Sequence, residues 1–228
     1  MQEYVDRHRE LICAALDDPA LLAILRGGRP LPAHYGVGFD ERVIGLPWLL
    51  AHPLRGRLLD AGSTLNHAHV LERLLPRVQR LHVVTLAPEE RAFTKLGVSY
   101  LYEDLRALPY RASCFDAVAC ISTLEHVGMD NRPYGSDLPP AAEPEREAAR
   151  ALDEVVRVLT PGGTLFLTVP YGAGEDHGWF RQYDREAVTT LSEVRGLTLE
   201  ALSVFRYTAA GWQRSDLDDA ANATYRDY

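Results

Sequence analysis

Two loops concentrate side chains that can move protons. STLEHVGMDNRPYG, residues 122–135, carries Glu125, His126, Asp130 and Tyr134, and YGAGEDHGWFRQYD, residues 171–184, carries Tyr171, Glu175, Asp176, His177, Trp179, Arg181 and Tyr183. Polar, aromatic and glycine residues mixed this densely suit loops built around a ligand. Histidine titrates near neutrality and is the commonest general base. His177, in the more open loop, is the leading base candidate, with His126 second and Asp130 beside them. The bland readings stand next to these: His126 as a loop brace, Tyr183 as an anchor, Asp184 as a helix cap. Glu175, Asp176, His177 and Asp130 could together hold a divalent cation, but clustered loop acids are usually just solvated, so no metal is assigned.

A third stretch, LLDAGSTLNHAHVLERLL (residues 58–75), reads as a strand turning into a helix through a nucleotide-binding loop with one glycine, Gly62. A dinucleotide needs several glycines for its pyrophosphate to approach the backbone. Ser63, Thr64, Leu65 and Asn66 obstruct that approach, so a nucleoside without phosphates fits more easily.

These loops need a scaffold. The chain has 228 residues, 46% of them hydrophobic, enough for one α/β domain with a sizeable core. Residues 1–54 read as helical, with Asp18-Pro19 opening a helix that Gly27-Gly28 stops and Pro47 interrupting the next. They form an expected cap or lid over the ligand site. From residue 55 to 228 strands and helices alternate: RLLDA, HVLERLLP, LHVVTL, PEERAFTKL as a helix, VSYLY, FDAVACI, a helix through Ala148, Leu152 and Val155, GTLFLTVP, DREAVTTLSEV as a helix, then LTLEALSVFRY as a strand. That order predicts a mostly parallel sheet, Rossmann-like, with ligands beyond the carboxyl ends of its strands. GWQRSDLDDAANATYRDY contains no strand-like run, so six clear strands are expected, with a last one missing or short.

The net charge of −8 argues against nucleic acid as a partner. Cys13, Cys114 and Cys120 have no C-x-x-C spacing, the first ten residues are too charged for a signal peptide, and no apolar run reaches a membrane span. A cytoplasmic protein with no membrane partner is the expectation. Its oligomeric state stays open, a homodimer included.

LLDAGS, EDLRALPY, FDAVACISTLEHV and LTPGGTLFLTVP, in that order, resemble the class I S-adenosylmethionine-dependent methyltransferases, most closely the small-molecule kind called type 11. The resemblance covers about residues 55–190. It implies S-adenosyl-L-methionine as cofactor, with Asp60, Gly62 and Ser63 at its amino-acid end, Thr85 and Leu86 at the ribose, Asp104 and Leu105 at the adenine, and Ser122 completing the set. Two positions depart from the family pattern. Thr64 and Asn66 replace the later glycines of D-x-G-x-G-x-G, and Thr85 stands where the family has an acid for the ribose hydroxyls. The implied reaction is methyl transfer to a small polar acceptor, a hydroxyl of a sugar or sugar-bearing metabolite being favoured. Tyr35 of the lid-like HYGVGFDER, with Tyr134, Tyr171, Trp179, Arg181 and Tyr183, would face that acceptor. A methyltransferase-like module without turnover, serving binding or assembly, is the alternative, and a nicotinamide dehydrogenase is a distant third.

Overall fold

The computed structural model describes residues 2–194 and 196–225. Five parallel strands form the central sheet in the order β3-β2-β1-β4-β5: β1 Arg57–Ala61, β2 Arg80–Thr85, β3 Ser99–Tyr102, β4 Phe115–Ile121 and β5 Leu159–Thr168. Alternation along the strands divides the core in two. Leu58, Leu81, Val83, Ala117, Ala119 and Ile121 pack against the N-terminal helices and α4 (Ala68–Leu74) on one face, while Leu59, Ala61, Val84, Val118 and Cys120 meet α5 (Pro144–Val158) on the other. The strand order reverses between β1 and β4, so the crevice for a ligand opens where their carboxyl ends diverge.

The N-terminal helices are α1 Gln2–Leu16, α2 Pro19–Gly27 and α3 Arg42–Ala51. Asp18 caps α2 through the N–H groups of Ala20 and Leu21 at 2.8 and 3.1 Å. Pro47 lies inside α3 without ending it. A proline leaves the carbonyl four residues earlier without its helical donor, and here that carbonyl, of Val43, accepts from the Tyr35 hydroxyl at 2.7 Å. Tyr35 is buried. Its hydroxyl, expected at the lid, repairs α3.

The rest of HYGVGFDER is also fixed. Two hairpins lie outside the central sheet, β6 Glu175–Asp176 with β7 Arg181–Gln182, and β8 Val204–Thr208 with β9 Gly211–Ser215. The second clamps the 34–41 segment. Tyr207 Oη accepts from Gly38 N at 2.7 Å, Trp212 N donates to Tyr35 O at 2.8 Å, and Trp212 Nε1 donates to Phe39 O at 3.0 Å.

Three sequence expectations change. PEERAFTKL forms no α-helix and contains only a short 3₁₀ turn, Thr94–Leu96. LTLEALSVFRY is a strand only from Val204, and GWQRS, which looked strandless, is β9. Five strands instead of six build the central sheet, and among the described residues none after Thr168 joins it. By contrast α6, Arg185–Ser192, starts as expected on Asp184, whose carboxylate accepts from Ala187 N at 2.9 Å.

Gly211 has φ +90°, and a Cβ there would stand 2.4 Å from Tyr35 O. Gly211→Ala is expected to destabilise the fold by about 1–3 kcal/mol, since neither the backbone angle nor the neighbouring carbonyl gives way cheaply. Urea denaturation measures this, and a loss within about 0.5 kcal/mol would show that the hairpin does not clamp the segment.

Candidate functional site

The floor of the site is Asp60, the fourth residue of β1 and 0% exposed. Its Oδ2 accepts from Leu65 N at 2.9 Å, while Oδ1 makes no hydrogen bond among the described residues. Burial, reinforced by the nearby Glu89 carboxylate, pushes Asp60 up to about 8. The loop above it is drawn onto β4 by Thr64 Oγ1, which donates to Ile121 O at 2.6 Å, a carbonyl that also accepts from Thr123 Oγ1 at 2.9 Å. Gly62 needs its glycine because a Cβ would stand 2.1 Å from Thr123 Oγ1. The space it leaves is thus filled by Thr123, and its N–H is held by Val84 O at 2.8 Å. The small residue at Gly62, expected to give a ligand backbone access, also makes room for loop packing. Ser63, at φ +65°, donates its hydroxyl to Glu89 Oε1.

Thr85 and Leu86 are half-buried at the end of β2. Leu105 is buried against the α5 side of the sheet. Asp104 caps the short turn Leu105–Ala107, accepting from Arg106 N at 2.8 Å and from the Arg106 guanidinium at 2.6 Å. Burial alone would raise its carboxyl, but Arg106 outweighs this and holds it below the ordinary range. Ser122, at φ +46°, donates its N–H to Thr168 Oγ1 at 2.9 Å, tying the ends of β4 and β5.

The two loops singled out for proton chemistry meet over β4 and β5. His126 Nδ1 lies 2.8 Å from Trp179 O, and since a carbonyl only accepts, Nδ1 carries the proton. Nε2 is left with a lone pair, 3.5 Å from the Tyr134 hydroxyl. Burial lowers the His126 pKa, outweighing the Trp179 carbonyl. The ring is stacked on Trp179 with centroids 5.3 Å apart, and Tyr134 meets it edge-on at 5.0 Å. Trp179 and Tyr134 remain 40% and 44% exposed, an aromatic rim to the crevice.

His177 is placed differently. Its ring lies flat on Phe180 at 4.4 Å, and its Nε2 is enclosed by protein, 3.3 Å from Glu175 Oε2. The leading base candidate thus faces inward, and the second faces the rim. Asp130 is claimed by the Arg132 guanidinium, which holds it down at about 2 and leaves it no basicity at neutral pH. Tyr171 spends its hydroxyl on Leu217 O at 2.7 Å, and buried Tyr183 sits under the Arg181 guanidinium at 4.7 Å. Arg181 is paired with Glu145 at 2.8 Å. Asp130, Tyr171 and Tyr183 thus each have a structural partner within the fold.

Arg42 and Tyr225 escaped the sequence reading, which takes Glu89 for a helix first-turn acid and an alternative ribose contact. Arg42, at the start of α3, acts electrostatically on His67, Glu125, His126 and Tyr134. Glu89 closes on the first loop, and Tyr225 packs on Phe180 at 4.8 Å. Glu125, quoted as a possible base, is 5% exposed with Oε2 unpartnered, and burial, helped by Glu41, raises it to about 8.

Residues 59–167 match the family model described as a methyltransferase domain. Among solved structures, an S-adenosylmethionine-dependent methyltransferase of Leishmania major is similar at 12% identity and TM-score 0.52, over 71% of this chain and 63% of that one. The 1,6-didemethyltoxoflavin-N1-methyltransferase of Burkholderia thailandensis, solved with bound 1,6-didemethyltoxoflavin and S-adenosylhomocysteine, aligns at 16% identity and TM-score 0.49, over 92% and 78% of the two chains. The cyclase SpnF aligns at 23% identity and TM-score 0.41, over 59% of this chain and only 47% of its own. A search of curated proteins finds no match. Residues 59–167 thus match a methyltransferase domain, and the parallel sheet has the fold of the Leishmania major enzyme. Asp60 Oδ1, buried beneath the first loop, is an acceptor without a partner among the described residues, a group that a hydrogen-bond-donating ligand would satisfy.

The two raised carboxyls set the pH dependence. An unfolded carboxyl titrates near 4, so between about 4 and about 8 the folded chain holds protons on Asp60 and Glu125 that the unfolded chain has released. Their contribution is complete below the unfolded value and lost as pH rises through the folded one. Unfolding free energy from urea titrations should fall between pH 5 and 8 by up to about 1.4 kcal/mol per unit for each group. The Asp60→Asn, Glu125→Gln double variant should lose that slope. An equal slope in both proteins would mean that the two carboxyls are ionised in the fold.

Proposed function

We propose that this chain transfers a methyl group from S-adenosylmethionine to a hydroxyl of a small polar acceptor, with a sugar or sugar-bearing metabolite favoured. The observation that carries the choice of chemistry is the tautomer of His126. Its proton is on Nδ1, its Nε2 lone pair faces the rim beside the Tyr134 hydroxyl, and burial favours the neutral ring, which are the requirements of a general base. The cofactor supplies a methyl carbon already activated by sulfonium, so the protein's task is to place the acceptor in line and take its proton.

In this reading Asp60 and Ser63 hold the amino-acid end, Thr85 and Leu86 lie by the ribose, Asp104 and Leu105 by the adenine, and Ser122 between cofactor and acceptor. Trp179 and Tyr134 offer exposed ring faces on which the C–H face of a sugar can lie. Arg181 braces that rim through Tyr183 and Glu145. His177 supports the loop by its stack on Phe180. A specific observation favours a second reading, that of a module without turnover: Thr123 fills the space beside Gly62, and Glu89 occupies the Ser63 hydroxyl.

Calorimetry with S-adenosylhomocysteine separates the two. Binding supports the enzyme, and no binding at millimolar ligand supports the module. With nucleotide-linked sugars as acceptors, His126→Ala should lower turnover by about 10²–10⁴-fold with cofactor affinity nearly unchanged. His177→Ala should retain most of the activity. The reverse pattern would return the base assignment to His177.

A further inference from the structure

The non-helical segment after β2 follows from Asn66. This side chain is buried, its amide donates to Arg91 O at 2.9 Å, and its carbonyl oxygen accepts from Tyr100 Oη at 2.7 Å. Tyr100 Oη in turn accepts from Phe93 N at 2.8 Å. In an α-helix Phe93 N would donate to Glu89 O and Arg91 O would accept from Lys95 N. Both backbone groups are engaged elsewhere, so the helix expected over PEERAFTKL does not form, and residues 86–93 lie along the first loop. Glu89 then reaches back to Ser63.

That position is central to the crevice. The Glu89 charge acts on Asp60 at the end of β1, on His67 before α4 and on Tyr100 in β3. Only Oε1 is used, by Ser63, and Oε2 makes no hydrogen bond among the described residues. A vicinal diol is best held by a carboxylate, because charge-assisted hydrogen bonds are about twice as strong as neutral ones. Thr85 offers a neutral hydroxyl.

We infer that Glu89 takes the ribose hydroxyls of the cofactor in place of the acid missing at Thr85, and that Asn66 is the residue that positions it. The two departures from the family's pattern are then one device: the asparagine that replaces a glycine delivers the carboxylate that replaces the acid. This inference rests on the methyltransferase reading above and adds a residue assignment that the reading does not require.

The test is S-adenosylhomocysteine binding by calorimetry, with its 2′-deoxy analogue as a second probe. Glu89→Gln should weaken S-adenosylhomocysteine about tenfold and the 2′-deoxy analogue much less, so the variant loses the native preference for the ribose hydroxyl. Asn66→Gly should weaken binding by a similar factor, and Asn66→Gly with Glu89→Gln should be no weaker than Asn66→Gly alone, because both remove the same contact. Adding Thr85→Asp to Glu89→Gln should recover most of the loss. Undiminished binding by Glu89→Gln overturns the inference, as does equal weakening toward both probes, which a merely structural loosening would give. Additive losses overturn the role of Asn66. Glu89→Gln leaves the Asn66 network intact, so the central claim stays testable even if Asn66→Gly folds poorly. Failure of the native chain to bind at millimolar ligand would instead fell the methyltransferase reading itself.

Discussion

The buried bond from Leu65 N to Asp60 is the constraint on which the site depends. A carboxyl group with no exposure is tolerated only if it is paired or protonated, and Asp60 satisfies one oxygen by folding the first loop back over itself. That fold-back puts Gly62 under Thr123, turns Ser63 into the left-handed region and carries Asn66 inward to Tyr100. Each of these contacts recruits a further strand. Thr64 fastens the loop to β4, Gly62 N fastens it to β2, and Asn66 fastens it to β3 and the segment before it. One dry hydrogen bond therefore sets the shape of the crevice across four strands.

The opposite wall follows a different logic, aromatic instead of ionic. His126 is oriented by a backbone carbonyl and wedged between Trp179 and Tyr134, so its tautomer and ring plane are fixed by groups that do not titrate near neutrality. His177 is equally well packed but points into the protein, where Phe180 and Glu175 hold it. The C-terminal segment reinforces this wall. Ala223 O accepts from Gln182 Nε2 at 2.8 Å and from Ala173 N at 2.9 Å, and Gly172 leaves room for that approach because a Cβ would stand 2.0 Å from Ala223 O. Two histidines in similar loops thus receive opposite roles from their neighbours.

The N-terminal helices bury themselves in the face of the sheet that carries Leu58 and Val83. The 39–42 segment brings the charge of Arg42 to Glu125 and His126. Because Tyr207 and Trp212 fix that segment, the chain's last hairpin and its first helices jointly hold one edge of the site. A side chain on either can therefore reach the chemistry through packing alone.

Local pattern settled much of the architecture. Apolar runs in RLLDA, LHVVTL and FDAVACI marked three of the parallel strands, Asp18 and Asp184 marked helix starts, and the four ordered motifs marked the methyltransferase domain, because each signal depends on residues adjacent in sequence. The same signals failed where a distant partner outbid local preference. PEERAFTKL has the proline and acids of a helix start, yet Asn66 and Tyr100 take its backbone groups. GWQRS lacks alternation, yet β8 and the 34–41 segment make it a strand. Pro47 looked like a break until Tyr35 supplied the missing donor. Which histidine faces the crevice, and which acid stands beside Ser63, were likewise decided only in the folded chain. The Ser63–Glu89 and His126–Trp179 contacts join residues 26 and 53 positions apart, and no local spacing encodes them.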